Sequence, residues 1–238
     1  MSIEELLDLA KRRRSIRKFL PDPLPDGSIE KILEVARWAM SGANAQPWEF
    51  IIVQDPQRKK ALADAMHDHD EMGRIMDLTR SEEFWKPRFR TGCVPEKLWV
   101  DAPVVIAIVG DKRTMMASTM VMRFFEHHTF DQGMANTTQM IHLAAAALGL
   151  GAQWISIDEP LNDTMKPILG IPSVITLFAL AVIGYPAHRP SSFRREVPEL
   201  VHNETYDMLK FRSQTDIQEF VKQLRKSHLA AGAYPVAK

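Results

Sequence analysis

One long apolar segment, from Asp131 to Leu148, constrains the fold more than any other part of the chain. Apolar residues occupy most sides of its helical projection, four consecutive alanines fill 144–147, and Gly149 and Gly151 follow its end. A helix this apolar cannot face water along its length, so it has to be buried in a core or in an interface. The sequence therefore predicts a buried helix over 131–148.

Short apolar segments bounded by turn residues alternate with helical patterns along the rest of the chain. Strands are predicted at 50–53, 104–109, 153–157 and 176–183. Helices are predicted over about 3–13, 29–40 and 57–76, and around 217–224 in the C-terminal tail. Because the two kinds of element alternate irregularly, the pattern favours a mixed sheet layered with helices.

Charge and cysteine content exclude several classes of function. The 238 residues carry 30 basic and 30 acidic side chains, so no global field draws the chain onto nucleic acid or an anionic membrane. No apolar stretch approaches the roughly 18 residues that a membrane span requires, and the acidic start lacks the features of a signal peptide. The single cysteine, Cys93, excludes an internal disulfide, and a reducing cytoplasm is the simplest compartment.

A basic cluster, Arg13-Arg14-Ser15-Ile16-Arg17, stands where the first helix is predicted to end. Guanidinium groups present planar forks of donors, and three of them with a hydroxyl would clamp a phosphate. A solvated basic helix end, favourable to the helix dipole, is the alternative. A nucleic-acid patch is disfavoured because no second basic cluster or aromatic platform accompanies it.

A polar loop, Ser41-Gly42-Ala43-Asn44-Ala45-Gln46-Pro47, separates the second helix from the first predicted strand. Its backbone and side-chain amides both donate and accept hydrogen bonds, which suits a flat heterocycle such as a flavin ring. Taken by itself, the segment is better explained as an ordinary polar turn between a helix and a strand.

Three glycine motifs follow in the second half of the chain: Leu148-Gly149-Leu150-Gly151, Leu169-Gly170-Ile171-Pro172 and Gly184-Tyr185-Pro186. The first is not a dinucleotide fingerprint, because its glycines end a helix instead of linking a strand to a helix. In their order and spacing, the arginine cluster, the polar loop and these motifs resemble the nitroreductase family of flavoproteins over nearly the whole chain.

The resemblance implies an α+β fold with a mixed, mainly antiparallel sheet wrapped by helices, in an intertwined homodimer. It further implies FMN between the subunits and a ping-pong reaction in which NAD(P)H reduces the flavin and a small-molecule electron acceptor then replaces it. The protein would supply binding, orientation and electrostatics to the flavin chemistry. We assign no catalytic side-chain acid or base.

The resemblance also carries over individual residues. Four would contact the FMN phosphate and ribityl chain: Arg13, Arg14, Ser15 and Arg17. Four would line the flavin, with the 41–44 loop coming from the other subunit: Met40, Ser41, Gly42 and Asn44. Three would lie against the ring: Ile155, Ser156 and Ile157. Arg194 matches a phosphate-binding arginine after the last strand.

Two departures from the family pattern stand out. Many relatives have proline at the position of Met40, and a basic residue is common where this chain has Ser192.

The pattern at 67–70, His-Asp-His-Asp, is interpreted as a solvated helix, because His67 and His69 would not share a helix face. No metal is expected.

We expect one domain over 1–238, with a lid or insertion at about 70–99 and a C-terminal extension from about 196. The lid segment carries Phe84, Trp85 and Phe89 among many charges. Its presence leaves three functions open. The first is a reductase of nitroaromatic, quinone or related acceptors, the second is a lid-bearing reductive dehalogenase of the deiodinase kind, and the third is a non-catalytic flavin-binding protein.

Overall fold

The computed structural model describes residues 2–77, 100–117, 126–190 and 192–230. Two compact units are present, the first ending at Arg189 and the second beginning at Pro190. That boundary lies close to the expected start of a C-terminal extension, and the single-domain expectation stays a prediction. Residues 78–99 lie outside the described residues, so most of the predicted lid does as well.

The first unit alternates helices and strands in the following order. Its helices are α1 (Ile3–Arg12), α2 (Ser28–Ala36), α3 (Pro56–Asp77), α4 (Glu126–Ala147) and α5 (Glu159–Leu169), with 3-10 turns at Gly42–Asn44 and Lys112–Ala117. Its strands are β1 (Phe19–Leu20), β2 (Trp48–Val53), β3 (Val104–Asp111), β4 (Gly151–Ser156) and β5 (Ile175–Pro186). No helix in the described parts of the chain has the length and apolar content to cross a membrane.

The five strands form one sheet in the order β1-β5-β3-β2, with β4 also paired to β5. Every ladder is antiparallel, with Val53 opposite Val105, Val104 opposite Ile183 and Gly151 opposite Gly184. Within the described ranges, one parallel bridge outside the named strands joins Ser15 to Ala152. The expected mainly antiparallel α+β fold is confirmed.

The sheet separates two hydrophobic cores because successive side chains of a strand point to opposite faces. On one face, Val105 and Val182 pack with residues of α3 and α5, among them Leu62 and Met165. On the other face, strand residues pack with α2 and α4 in a second core that includes Ile32, Ile106, Ile108, Phe130, Met134, Ile141 and Ala181.

The predicted buried helix is α4, and it begins five residues before the expected Asp131. Its fully buried residues include Phe130, Met134 and Ile141, which all belong to the core shared with α2. The helix therefore finds most of its apolar cover within its own chain, and its burial does not require a partner.

Two elements of the first unit were not predicted from the sequence. Strand β1 has two residues, too few to display an alternation. Helix α5 contains Pro160 and Pro167, which weaken any helical signal, although Pro160 stands in the first turn, where its missing N–H costs nothing. Asp158 caps this helix by accepting from the Leu161 N–H, and Gly170 ends it at φ 66°. Helix α2 ends at Ala36, four residues before Met40.

The second unit contains α6 (Val197–Leu200), a 3-10 turn (Met208–Lys210) and α7 (Gln214–Ala230). The tail helix expected around 217–224 lies within α7. Inside this unit Phe193 and Phe220 are 6.1 Å apart between ring centroids, and the Arg212 guanidinium lies 5.0 Å from the Phe220 centroid. Several apolar side chains between Phe193 and Arg212 in the sequence are exposed: Val197, Leu200, Tyr206, Met208, Leu209 and Phe211.

Candidate functional site

The arginine cluster forms an extended segment that lies against strand β4. Helix α1 starts with a capping box between Ser2 and Glu5 and ends where the Arg13 N–H donates to the Leu9 carbonyl. The Ile16 N–H then donates to the Ala152 carbonyl at 3.0 Å. The Ile16 side chain is buried against Gly151, where an added Cβ would lie 2.6 Å from Ile16 Cγ1.

Ile16 therefore anchors a segment whose predicted phosphate-binding residues are all partly buried: Arg13, Arg14, Ser15 and Arg17. Arg14 Nη1 donates to the Arg13 carbonyl at 2.8 Å. Among the described residues Arg14 makes no ion pair with a carboxylate, in contrast to Arg12, whose Nε lies 2.6 Å from Asp8 Oδ2. The structure thus brings these four residues together and leaves at least one guanidinium charge without an anionic partner within the described chain.

The polar loop after α2 is held in an unusual backbone conformation. Ala43, Asn44 and Gln46 have φ values of 52°, 53° and 45°, in the left-handed region that residues other than glycine rarely occupy. The Gln46 N–H donates to Ser41 Oγ at 3.0 Å, and the Asn44 N–H donates to the Ser41 carbonyl at 3.1 Å. These two hydrogen bonds close the turn tightly around Ser41.

The loop packs on the N-terminal half of α4. Asn136 Nδ2 donates to the Met40 carbonyl at 3.0 Å. A Cβ added to Gly42 would lie 2.1 Å from Thr129 Cγ2, so only glycine permits this approach without a shift of the neighbouring threonine. Met40 itself is 77% exposed. Helix α4 therefore fixes the position of Met40, Ser41 and Gly42, and Asn44 is held through its hydrogen bond to Ser41.

The segment after β4 offers a different kind of surface. Ile155 is buried in the core shared with α3 and α5, Ile157 packs on the same core, and Ser156 is exposed. A ligand could therefore contact the main chain of Ile155 but not its buried side chain. Directly afterwards, Asp158 caps α5 and its Oδ2 lies 2.9 Å from His69 Nε2 on α3.

Two buried polar side chains beside the arginine cluster were missed by the sequence patterns. His142 of α4 is 2% exposed, and its Nε2 has no hydrogen-bond partner within the described structure. Burial, together with the positive charge of Arg13, lowers the pKa of His142 to about 4. Gln153 of β4 likewise has a buried Oε1 without a partner. The sequence signal that could have revealed them is the presence of a histidine and a glutamine within otherwise apolar segments.

The predicted site residues fall into separate groups. The polar loop contacts α4 from Thr129 to Asn136, whereas the arginine cluster lies towards His142 of the same helix. Asn136 and His142 are separated by about 9 Å along the axis and by about a third of a turn around it. Arg194 belongs to the second unit, where its Nη1 donates to the Phe193 carbonyl, and its contact with a phosphate stays a prediction.

A cavity of about 540 Å³ lies between the proline-rich connection and the start of α2. Pro21, Leu24, Ile52 and Val104 are among its lining residues, and none of the predicted site residues lines it. This cavity therefore does not unite the two groups.

Comparison with known proteins agrees with this architecture. The model of the family described as "Nitroreductase family" matches residues 10–185. The chain belongs to the nitroreductase family. A putative NADH dehydrogenase/NAD(P)H nitroreductase from Archaeoglobus fulgidus is 27% identical over 86% of this chain and all of that protein.

Two further comparisons show the breadth of the family. Iodotyrosine deiodinase from Drosophila melanogaster is 30% identical, and the match covers 77% of this chain and 63% of the fly protein. The structure of an FMN-dependent nitroreductase from Clostridium difficile superimposes with a TM-score of 0.61 at 23% identity, covering 84% of this chain and 99% of that one. The last comparison supports the fold alone.

The buried imidazole generates a prediction for stability. Burial lowers the pKa of His142 to about 4 in the folded chain, from about 6.5 for an exposed histidine. As the pH falls, the unfolded chain therefore takes up a proton first, and the free energy of unfolding decreases between about pH 6.5 and pH 4. The expected loss is on the order of 3 kcal/mol, and above pH 6.5 the contribution is fully present.

Denaturant unfolding of the wild type and of His142→Leu across this pH range measures the effect. The leucine variant should lack this part of the slope. Thr138→Val, a buried substitution one turn earlier on α4, should keep it. Identical slopes in wild type and His142→Leu would show that His142 titrates normally in the folded chain.

Proposed function

We propose that this protein is an FMN-dependent oxidoreductase that uses NAD(P)H to reduce nitroaromatic, quinone or related acceptors by a ping-pong mechanism. We further propose that it acts as a homodimer, and its single cysteine favours a reducing, cytoplasmic location. The observation that carries the proposal is the half-buried arginine cluster, held against β4 beside unpaired buried polar groups.

The residues of the cluster fit the phosphate end of FMN. A phosphate dianion is bound best by charged donors with fixed geometry, and Arg forms bidentate hydrogen bonds with its oxygens. Arg14 has no carboxylate partner among the described residues, so binding an anion would not require breaking an existing ion pair. The buried anchor Ile16 fixes the main chain from which the neighbouring side chains project.

The polar loop fits the other end of the cofactor. Its glycine allows the backbone to approach closely, and its main-chain and amide groups can both donate to and accept from the edge of a flavin ring. When bound, the flavin would supply the redox chemistry, with NAD(P)H and the electron acceptor using the same position in turn. The protein's own part would be to bind and orient, and no residue is assigned as an acid or base.

The separation of the two groups on α4 supports the proposed homodimer. On one chain they lie along different turns of α4, the polar loop between Thr129 and Asn136 and the arginine cluster towards His142. A two-fold dimer would bring the polar loop of one subunit to the arginine cluster of the other. Exposed apolar side chains support such an interface, with Trp38 at 71% and Met40 beside the loop in the first unit. The exposed side chains of the second unit, such as Leu209, offer a further surface of the same kind.

The fly relative favours a second candidate, a reductive dehalogenase. The Drosophila melanogaster protein is named iodotyrosine deiodinase and is 30% identical to this chain. The Archaeoglobus fulgidus relative, whose name specifies NAD(P)H nitroreductase, supports the first candidate over a larger share of both chains. A flavin-binding protein without turnover is a third possibility that the fold accommodates.

Acceptor specificity distinguishes these functions. The purified flavin-loaded protein is reduced anaerobically with NADH or NADPH and then mixed with nitroaromatic, quinone and halophenol acceptors, while flavin absorbance is followed. We expect rapid reoxidation by the nitroaromatic and quinone compounds. Faster reoxidation by halophenols with halide release would establish the dehalogenase. Reduced flavin that persists with every acceptor would support the non-catalytic protein.

Substituting two neighbouring arginines, Arg14 and Arg12, tests the proposed phosphate site. Arg14→Ala should weaken FMN binding about tenfold or more, because a charge-assisted hydrogen bond to the phosphate is lost. Arg12→Ala is the matched control, since Arg12 is one helical position away from the cluster and already paired with Asp8. Titration of FMN fluorescence measures both affinities. Equal affinities for Arg14→Ala and wild type would remove Arg14 from the phosphate site.

The shared site has a complementation test. A chain with Arg14→Ala and Arg17→Ala should bind FMN poorly, and so should a chain with Gly42→Val, whose side chain meets Thr129. If each site takes its arginines from one subunit and its loop from the other, random mixed dimers restore about a quarter of the sites. Refolding the two chains together and measuring bound FMN tests this. No recovery beyond the separately refolded chains, each shown to be folded, would place both groups in sites formed within one chain.

A further inference from the structure

Arg189 is an exposed cation at the C-terminal end of helix α4. It is the last residue of the first unit, and its Nη2 donates to the Gly149 carbonyl at 2.9 Å. Within the described part of the chain it makes no ion pair with a carboxylate, and its Nε and Nη1 have no hydrogen-bond partner. The guanidinium is therefore held at one point and keeps donors for a further acceptor.

Helix α4 ends beside this guanidinium in a glycine turn. Gly149 has a φ of 77°, and the Leu150 N–H donates back to the Ala145 carbonyl at 2.9 Å. Residues 147–149 are exposed, so this end of the helix faces solvent. The C-terminal end of an α-helix carries a partial negative charge, which attracts cations and repels anions. The position of Arg189 is favourable for that reason.

The arginine cluster passes close to the same end of α4. The bridge between Ser15 and Ala152 is parallel, so Arg14, one residue before Ser15, passes near Gly151, one residue before Ala152. Helix α1, which leads into the cluster, also contacts α4. The carbonyl that Arg189 binds belongs to Gly149, two residues before Gly151. The cluster and Arg189 therefore meet at one short stretch of main chain.

Backbone pairing on the other side of the cluster holds Arg189 in the same place. Strands β1 and β5 form one ladder, and beyond its end the Ala187 N–H donates to the Lys18 carbonyl at 3.0 Å. Arg17 comes directly before Lys18, and Arg189 comes two residues after Ala187. Arg189 is thus fixed beside the cluster both by this pairing and by its contact with Gly149.

This arrangement determines the electrostatics of an anion bound by the cluster. The negative end of α4 would repel a phosphate dianion, whereas a guanidinium on that end offsets the repulsion and adds an attraction. A guanidinium has five N–H donors in a planar fork. Arg189 can therefore keep one N–H on the Gly149 carbonyl and direct another to a phosphate oxygen.

We propose that Arg189 is a further phosphate-binding residue of the flavin site, which caps the C-terminal end of α4 and donates to the FMN phosphate that the arginine cluster binds. The inference rests on the proposed function. Because Arg189 belongs to the first unit with the cluster, it does not depend on where Arg194 of the second unit lies.

Comparison of FMN with riboflavin tests the assignment, because riboflavin has the same ring and ribityl chain but no phosphate. Arg189→Gln removes the charge and keeps a donor for the Gly149 carbonyl. It should weaken FMN binding about three- to tenfold, because a charge-assisted hydrogen bond is lost, and should change riboflavin affinity less than about twofold. Titration of flavin fluorescence measures both affinities, and thermal unfolding shows that the variant is folded.

Arg12→Gln is the matched control. It removes the same charge from an exposed arginine next to the cluster that is already paired with Asp8, so both flavin affinities should stay within about twofold of wild type. An unchanged ratio of FMN to riboflavin affinity in Arg189→Gln would overturn the proposal. Equal weakening of both flavins would assign Arg189 a structural role at the end of α4 and would also overturn it.

A measurement without flavin separates this inference from the proposed function. Inorganic phosphate should raise the unfolding temperature of the flavin-free protein above its value in chloride at equal ionic strength, because an anion bound to the native state stabilises it. The rise should be smaller in Arg189→Gln and unchanged in Arg12→Gln. If wild-type protein failed to bind FMN while this difference appeared, the proposed function would fail and the anion site at the end of α4 would stand. An equal rise in wild type and Arg189→Gln would exclude Arg189 from the site.

Discussion

The burial of helix α4 is the constraint on which the rest of this structure depends. The helix is too apolar to face water, and it satisfies that requirement between the sheet and α2 within its own chain. Two polar side chains on it bind main-chain carbonyls of neighbouring segments. Thr137 Oγ1 donates to the Ala36 carbonyl where α2 ends, and Asn136 Nδ2 donates to the Met40 carbonyl. The same helix thus packs the core and fixes where the polar loop begins.

The geometry of α4 also determines how the predicted site can be assembled. The polar loop and the arginine cluster lie along different turns of this helix. A site shared between two chains, as proposed, would use both groups without moving either. In the proposed dimer, the packing of α4 in each subunit would set the distance between phosphate clamp and ring-binding loop.

Much of the fold could be predicted because its signals are local. Apolar runs such as Val104–Val109 and the buried helix are visible as periodicity, and both were confirmed within a few residues. Helix α5 was missed because Pro160 and Pro167 interrupt its pattern, and β1 because two residues carry no period. Contacts between distant residues leave no periodic trace. The contact of His69 with Asp158, the influence of the Arg13 charge on His142 and the packing of the polar loop on α4 all required the tertiary structure.

The conformation of the polar loop connects this packing to function. Left-handed backbone at Ala43, Asn44 and Gln46 is unfavourable for residues with a Cβ, and it persists only where surrounding contacts enforce it. The enforcing contacts are in place: the loop is tied to α4 through Met40, and Gly42 and Ser41 are pressed against Thr129 and Gly133. A loop that served merely to join α2 to β2 could relax by adopting glycine at the strained positions. Alanine, asparagine and glutamine stand there instead, and the N–H groups of Asn44, Ala45 and Gln46 donate to Ser41 and Gly42, so the loop forms a fixed turn at the end of α2.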